Sequence, residues 1–180
     1  KSSYNKKTVE DEYIPNPSLS DEENLRLFME FEMNKININE NISKELAHES
    51  WLIEALAYMK YYNSKKYPPD FIDEVTNLIK ENKSKIDYFR SLSKTRPKVL
   101  GEPGADGIAL ALSDRLVLKL FKDKGSFEHA QKAVERLHKH PELAKTEAMI
   151  YDIGVLGTFF GNPLYYYIID QKNLFKIIWI

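Results

Sequence analysis

From Ser20 onward the chain alternates apolar and polar positions at helical spacing. Ser20 and Glu23 form a capping box, each able to satisfy a free backbone amide at a helix start, and Leu25, Phe28, Met29 and Phe31 follow as an apolar stripe. Asn34-Lys35-Ile36-Asn37-Ile38-Asn39 interrupts the stripe and reads as a connection. A second helix is predicted over 43–62, where Leu46, Trp51, Ile53, Ala55, Leu56, Met59 and Tyr62 recur at the same period. Tyr67-Pro68-Pro69-Asp70 stops it and opens a third, with Phe71, Val75, Leu78 and Ile79 on one face; Ile86, Phe89 and Leu92 extend the pattern. Residues 20–94 are therefore expected to be a helical bundle of three or four helices. Residues 1–19, with Pro15 and Pro17, read as a flexible tail.

The pattern changes at Thr95-Arg96-Pro97. Glycines come first, then a short β-branched and aliphatic run over 116–121, then a helix over 126–138 with Ser126 as its expected cap and Phe127, Ala130, Val134 and Leu137 inside. Strands are expected over 148–153 and 164–169, with Gly161-Asn162-Pro163 turning the chain between them. The predicted class is α+β: a helical domain over 20–94, then an antiparallel sheet with one helix over 97–171. Residues 172–180 read as a hinge or the start of a further segment.

Composition narrows the function classes. The 180 residues carry 26 Lys+Arg against 27 Asp+Glu, a formal charge of −1, which weighs against attachment to nucleic acid or membrane by net charge. Hydrophobic residues at 43% suffice for a core. The absence of cysteine excludes disulfides, thiolate nucleophiles and Cys-based zinc sites. No apolar run has the length of a membrane span and the first residues lack a signal-peptide core; the expected location is cytoplasmic, or a host cytosol if the protein is delivered by a pathogen or phage.

The chemistry concentrates after Pro97. Val99-Leu100-Gly101-Glu102-Pro103-Gly104-Ala105-Asp106-Gly107 leads into Ile108–Leu112, and Leu116-Val117-Leu118-Lys119 follows. A glycine-rich turn between antiparallel strands can bring backbone amides to phosphates, and a lysine on the next strand can place a positive charge against them. This order resembles the N-terminal small lobe of the protein-kinase fold, over residues 97–171. Lys119 resembles the ATP-contacting lysine of the family's third strand. His140-Pro141-Glu142-Leu143 resembles the turn after the family's helix, Ile150–Gly154 the fourth strand, and Tyr165–Asp170 the fifth strand running into the hinge.

The resemblance implies an ATP site with Gly104 and Gly107 over the phosphates, Lys119 beside them, Glu128 as the nearest carboxylate for Lys119, and Mg2+ bridging the phosphates. It has departures. Glu102 stands at the first glycine position, with Gly101 one residue off register, and Pro103 removes an amide donor. The helix position facing the lysine falls on Ala130 or Gln131, depending on the point counted from. No His-Arg-Asp or Asp-Phe-Gly motif follows Asp170, so the catalytic base and magnesium ligands are expected beyond Ile180.

Two readings follow. One is the N-terminal part of an atypical serine/threonine protein kinase, its helical region serving regulation or docking. The other is a pseudokinase-like interaction scaffold or structural component without catalysis. Either implies a protein partner or protein substrate. Other chemistry is weaker. His129, His138 and His140 do not converge at their helical spacings, His48-Glu49 lacks the second histidine of a zinc-protease motif, and the lysines between Lys80 and Lys85 read as a solvated helix face.

Overall fold

The computed structural model describes residues 13–36, 44, 46–64, 70–101, 103–104, 107–121, 123–142 and 150–170. Helices α1 (Asp21–Ile36), α2 (Ser50–Ser64), α3 (Phe71–Glu81) and α4 (Lys83–Ser91) precede strands β1 (Lys98–Leu100), β2 (Gly107–Ala111) and β3 (Leu116–Phe121). Helix α5 (Lys124–Lys139) follows, then β4 (Ile150–Phe159) and β5 (Asn162–Asp170). The α+β class and the antiparallel sheet agree with the sequence pattern. By compactness the chain divides within α3, into residues 1–76 and 77–180. That division falls earlier than the change of pattern at Thr95-Arg96-Pro97.

In the first unit Leu25 and Phe28 of α1, Trp51, Ile53 and Leu56 of α2, and Phe71 and Val75 of α3 are buried, the positions that helical spacing marks as apolar. Phe28 meets Phe71 edge-on, with ring centroids 5.4 Å apart. Residues 13–19 are not a free tail. The buried Asn24 side chain accepts from the Asn16 amide at 2.8 Å and the Tyr13 hydroxyl at 3.1 Å, and donates to the Asn16 carbonyl at 2.9 Å. Asn24 has helical neighbours in sequence, so its role as an anchor is invisible to periodicity. Residues 1–12 of the expected tail and 171–180 lie outside the described residues.

The second unit is a five-stranded sheet in the order β1-β2-β3-β5-β4, every neighbour antiparallel. Strand alternation gives it two faces. Val117, Lys119 and Phe121 of β3 share a face with Tyr165, Tyr167 and Ile169 of β5. That face packs on Phe127 and Ala130 of α5. Leu116, Leu118 and Leu120 share the other with Tyr166 and Ile168. It receives α4, whose Phe89 ring lies edge-on to Tyr166 at 4.9 Å. Lys85 of α4 donates to the Val155 carbonyl at 2.8 Å. Helix α4 therefore packs on the sheet and shares its compact unit. Its apolar positions continue the period of α3, which is why the sequence assigns it to the bundle.

Two boundaries move for local reasons. Asp123, not Ser126, caps α5: its Oδ1 accepts from the Ser126 amide at 2.8 Å, so the helix begins earlier than expected. Strand β4 runs six residues past its expected end at Ile153, through two register irregularities, one between Ile150 and Asp152 and one between Val155 and Thr158. Gly157 lies in the second, at φ +126°. A side chain there would collide with Asn82.

Candidate functional site

Lys119 stands in the middle strand of the sheet. Its strand neighbours are Leu118 and Leu120, and its register partners are Ala109 on β2 and Tyr167 on β5. It is 7% exposed on the face that α5 covers, the one buried lysine among the described residues. A lysine buried to that extent is uncommon, because removing an ammonium from water is costly unless other groups compensate. Part of that compensation comes from Phe121, whose ring centroid is 5.4 Å from the Lys119 Nζ.

The face of α5 turned to the sheet is apolar. Phe127, Ala130 and Ala133 are its buried residues. Phe127 stacks on Tyr165 with centroids 4.3 Å apart and planes 16° from parallel, and meets Phe121 edge-on at 6.0 Å. Ala130, one of the two positions considered for a carboxylate opposite Lys119, packs with Val117, Phe121 and Tyr167. Gln131, the other, is exposed. Glu128 is half-exposed on the outer face and pairs with Lys124 one turn earlier, at 3.6 Å. The fold therefore brings Glu128 to Lys124 and not to Lys119. The reason is helical phase: Phe127 and Ala130 fix the inner face, and Glu128 lies beside it rather than on it.

The glycines play unequal parts. Gly107 opens β2 opposite Phe121 at φ +153°, and a Cβ there would strike the Leu120 carbonyl oxygen. Close packing between strands is reason enough for glycine at this position. Gly104 has open space around it, and its amide donates to the Gly107 carbonyl at 2.8 Å. Gly101 adopts φ +63°, also with open space at its Cβ position. Of the three, Gly101 and Gly104 leave room for a ligand to approach the backbone.

On the opposite face lies a polar group that sequence reasoning left unnoticed. The Tyr166 hydroxyl donates to Asp152 Oδ2 at 2.9 Å, and Asp152 Oδ1 accepts from the Ile153 amide at 2.9 Å. Lys85 Nζ lies 5.4 Å from the Tyr166 ring centroid. Burial, reinforced by the hydrogen bond to the Asp152 carboxylate, pushes the Tyr166 hydroxyl well above the usual tyrosine range. The available signal was Asp152 itself, a carboxylate within a strand beside a run of tyrosines. Among the described residues no three His, Cys, Asp or Glu side chains gather as a metal site, and no helix is long and apolar enough to cross a membrane. No protein family, curated protein or solved structure matches the chain.

Proposed function

We propose that residues 97–171 are the ATP-binding small lobe of a protein-kinase-like fold, forming the N-terminal part of an atypical serine/threonine protein kinase, with the helical region before it serving docking or regulation. The observation that carries this reading is Lys119: a lysine buried on the helix-covered face of the middle strand, the place the resemblance gives to a phosphate-facing lysine. The element order supports it, with the glycine loop between β1 and β2, the lysine on β3, one helix, and β4 and β5 closing the sheet. In this reading Lys119 takes the nucleotide phosphates as a point charge and Gly104 lets them approach the loop. Magnesium, when bound with the nucleotide, would neutralise phosphate charge.

A second reading, a pseudokinase-like scaffold, draws on the contacts of α5 and the loop. Glu128 is engaged with Lys124, the inner face of α5 is apolar, and the Gly104 amide is already spent on Gly107. Titration of the full chain with magnesium-ATP, followed by thermal shift and calorimetry, separates the two. The nucleotide reading expects saturable stabilisation, weakened about tenfold or more by Lys119→Ala, since ~1.4 kcal/mol is a factor of ten. Wild-type protein unaffected by nucleotide at roughly millimolar concentration overturns it in favour of the scaffold.

A further inference from the structure

The groove between the end of α4 and the start of β4 lies on the face of the sheet away from Lys119. Its volume is about 450 Å³, within the range of small-ligand sites. Tyr88 of α4 and Tyr151 of β4 both line it, and they are 46% and 49% exposed. Most tyrosines of this sheet point into packing, so two half-exposed rings at one groove call for a reason. The backbone supplies one for Tyr151. The pairing of β4 with β5 steps from Ile150↔Ile169 to Asp152↔Ile168, leaving Tyr151 as the extra residue of a bulge. Bulges of this kind re-aim a side chain at the cost of ladder regularity.

Leu92, Leu116 and Ile168 add apolar side chains to the lining of the groove. Arg115, exposed in the turn between β2 and β3, also lines it. The Ser113 hydroxyl fixes that turn by accepting from the Arg115 and Leu116 amides, both at 3.2 Å. Among the described residues no carboxylate lines the groove and Arg115 forms no ion pair. Two aromatic walls, an apolar lining and one uncompensated guanidinium are complementary to a flat apolar body carrying one negative charge. Arg is suited to a carboxylate because its fork can donate two parallel hydrogen bonds.

We propose that this groove binds an aromatic carboxylate, with the ring between Tyr88 and Tyr151 and the carboxylate on Arg115. The site is independent of the nucleotide reading, since its residues lie on the other face of the sheet from Lys119. The test is a titration of the full chain, carrying 13C-labelled tyrosine, with N-acetyl-L-phenylalanine and separately with its uncharged amide. The acid is expected to shift the Tyr88 and Tyr151 resonances saturably, with the amide at least about fivefold weaker. Arg115→Gln should reduce the acid to the level of the amide, and Tyr151→Ser should weaken both. Arg115 and Tyr151 are exposed, and circular dichroism checks that each variant retains the fold. Equal binding of acid and amide, no saturable shift by roughly 10 mM, or undiminished acid binding by Arg115→Gln each overturns the proposal. Given binding, comparing 3-phenylpropionate with a tripeptide ending in phenylalanine identifies the source. Tighter binding of the free acid points to a small molecule, and tighter binding of the tripeptide points to a peptide terminus.

Discussion

The Tyr166 hydroxyl and the Asp152 carboxylate are joined by a 2.9 Å hydrogen bond between β5 and β4, on the face of the sheet that α4 covers. The same ring receives Phe89 edge-on, so one side chain links both edge-side strands to the helix. Tyr166→Phe keeps the ring and removes the bond. It should destabilise the protein by about 1–2 kcal/mol, because a hydrogen bond to a charged acceptor is worth more than a neutral one. Urea unfolding at neutral pH measures this.

The bond also gives stability a pH dependence. The folded state holds the Tyr166 proton more tightly than the unfolded chain, so its hydroxyl titrates above the ordinary tyrosine value. The corresponding stability is fully present below the unfolded value of about 10 and declines as pH rises beyond it, because the unfolded state then releases a proton that the folded state retains. Stability of the wild type should fall from about pH 10 upward, and Tyr166→Phe should lack that component of the fall. Parallel slopes for the two proteins would refute the assignment.

Gly107 and Gly104 should separate packing from ligand approach. Gly107→Ala forces a side chain against the Leu120 carbonyl at a positive φ, with a destabilisation expected at about 2 kcal/mol or more. Gly104→Ala meets open space and should leave stability within about 0.5 kcal/mol. If nucleotide approaches this loop, Gly104→Ala should nevertheless weaken magnesium-ATP binding. Chemical denaturation and calorimetry on the two variants distinguish these effects.

Glu128→Ala should be nearly silent. Its pair with Lys124 is exposed, and pairs of that kind contribute roughly 0–1 kcal/mol. Because the fold turns Glu128 away from Lys119, nucleotide affinity should also be unchanged. A loss comparable to that of Lys119→Ala would mean that α5 rotates when ligand binds.

Asn24→Ala should release residues 13–19. The side chain bonds Tyr13 and both backbone groups of Asn16, and it is buried, so truncation leaves those partners to be resolvated. The expected cost is about 1–3 kcal/mol, with faster proteolysis near Asn16 as a local readout.

The amino-acid order alone determined the α+β class, the positions of the helices and of β3, and the order of glycine loop, lysine strand and helix. These follow from short-range periodicity and turn chemistry, which act within a few residues. Tertiary structure decided what those signals cannot carry. Phe89 continues the helical period of α3, yet the surface it buries includes Tyr166, more than seventy residues away in the chain. Glu128 is close to Lys119 in sequence, but the phase set by Phe127 and Ala130 turns it toward Lys124. Tyr151 reads as an ordinary strand residue until the pairing of β4 with β5 makes it the extra residue of a bulge. In each case the deciding contact is between segments distant in sequence, where local spacing identifies an apolar or polar position but not the partner that it meets.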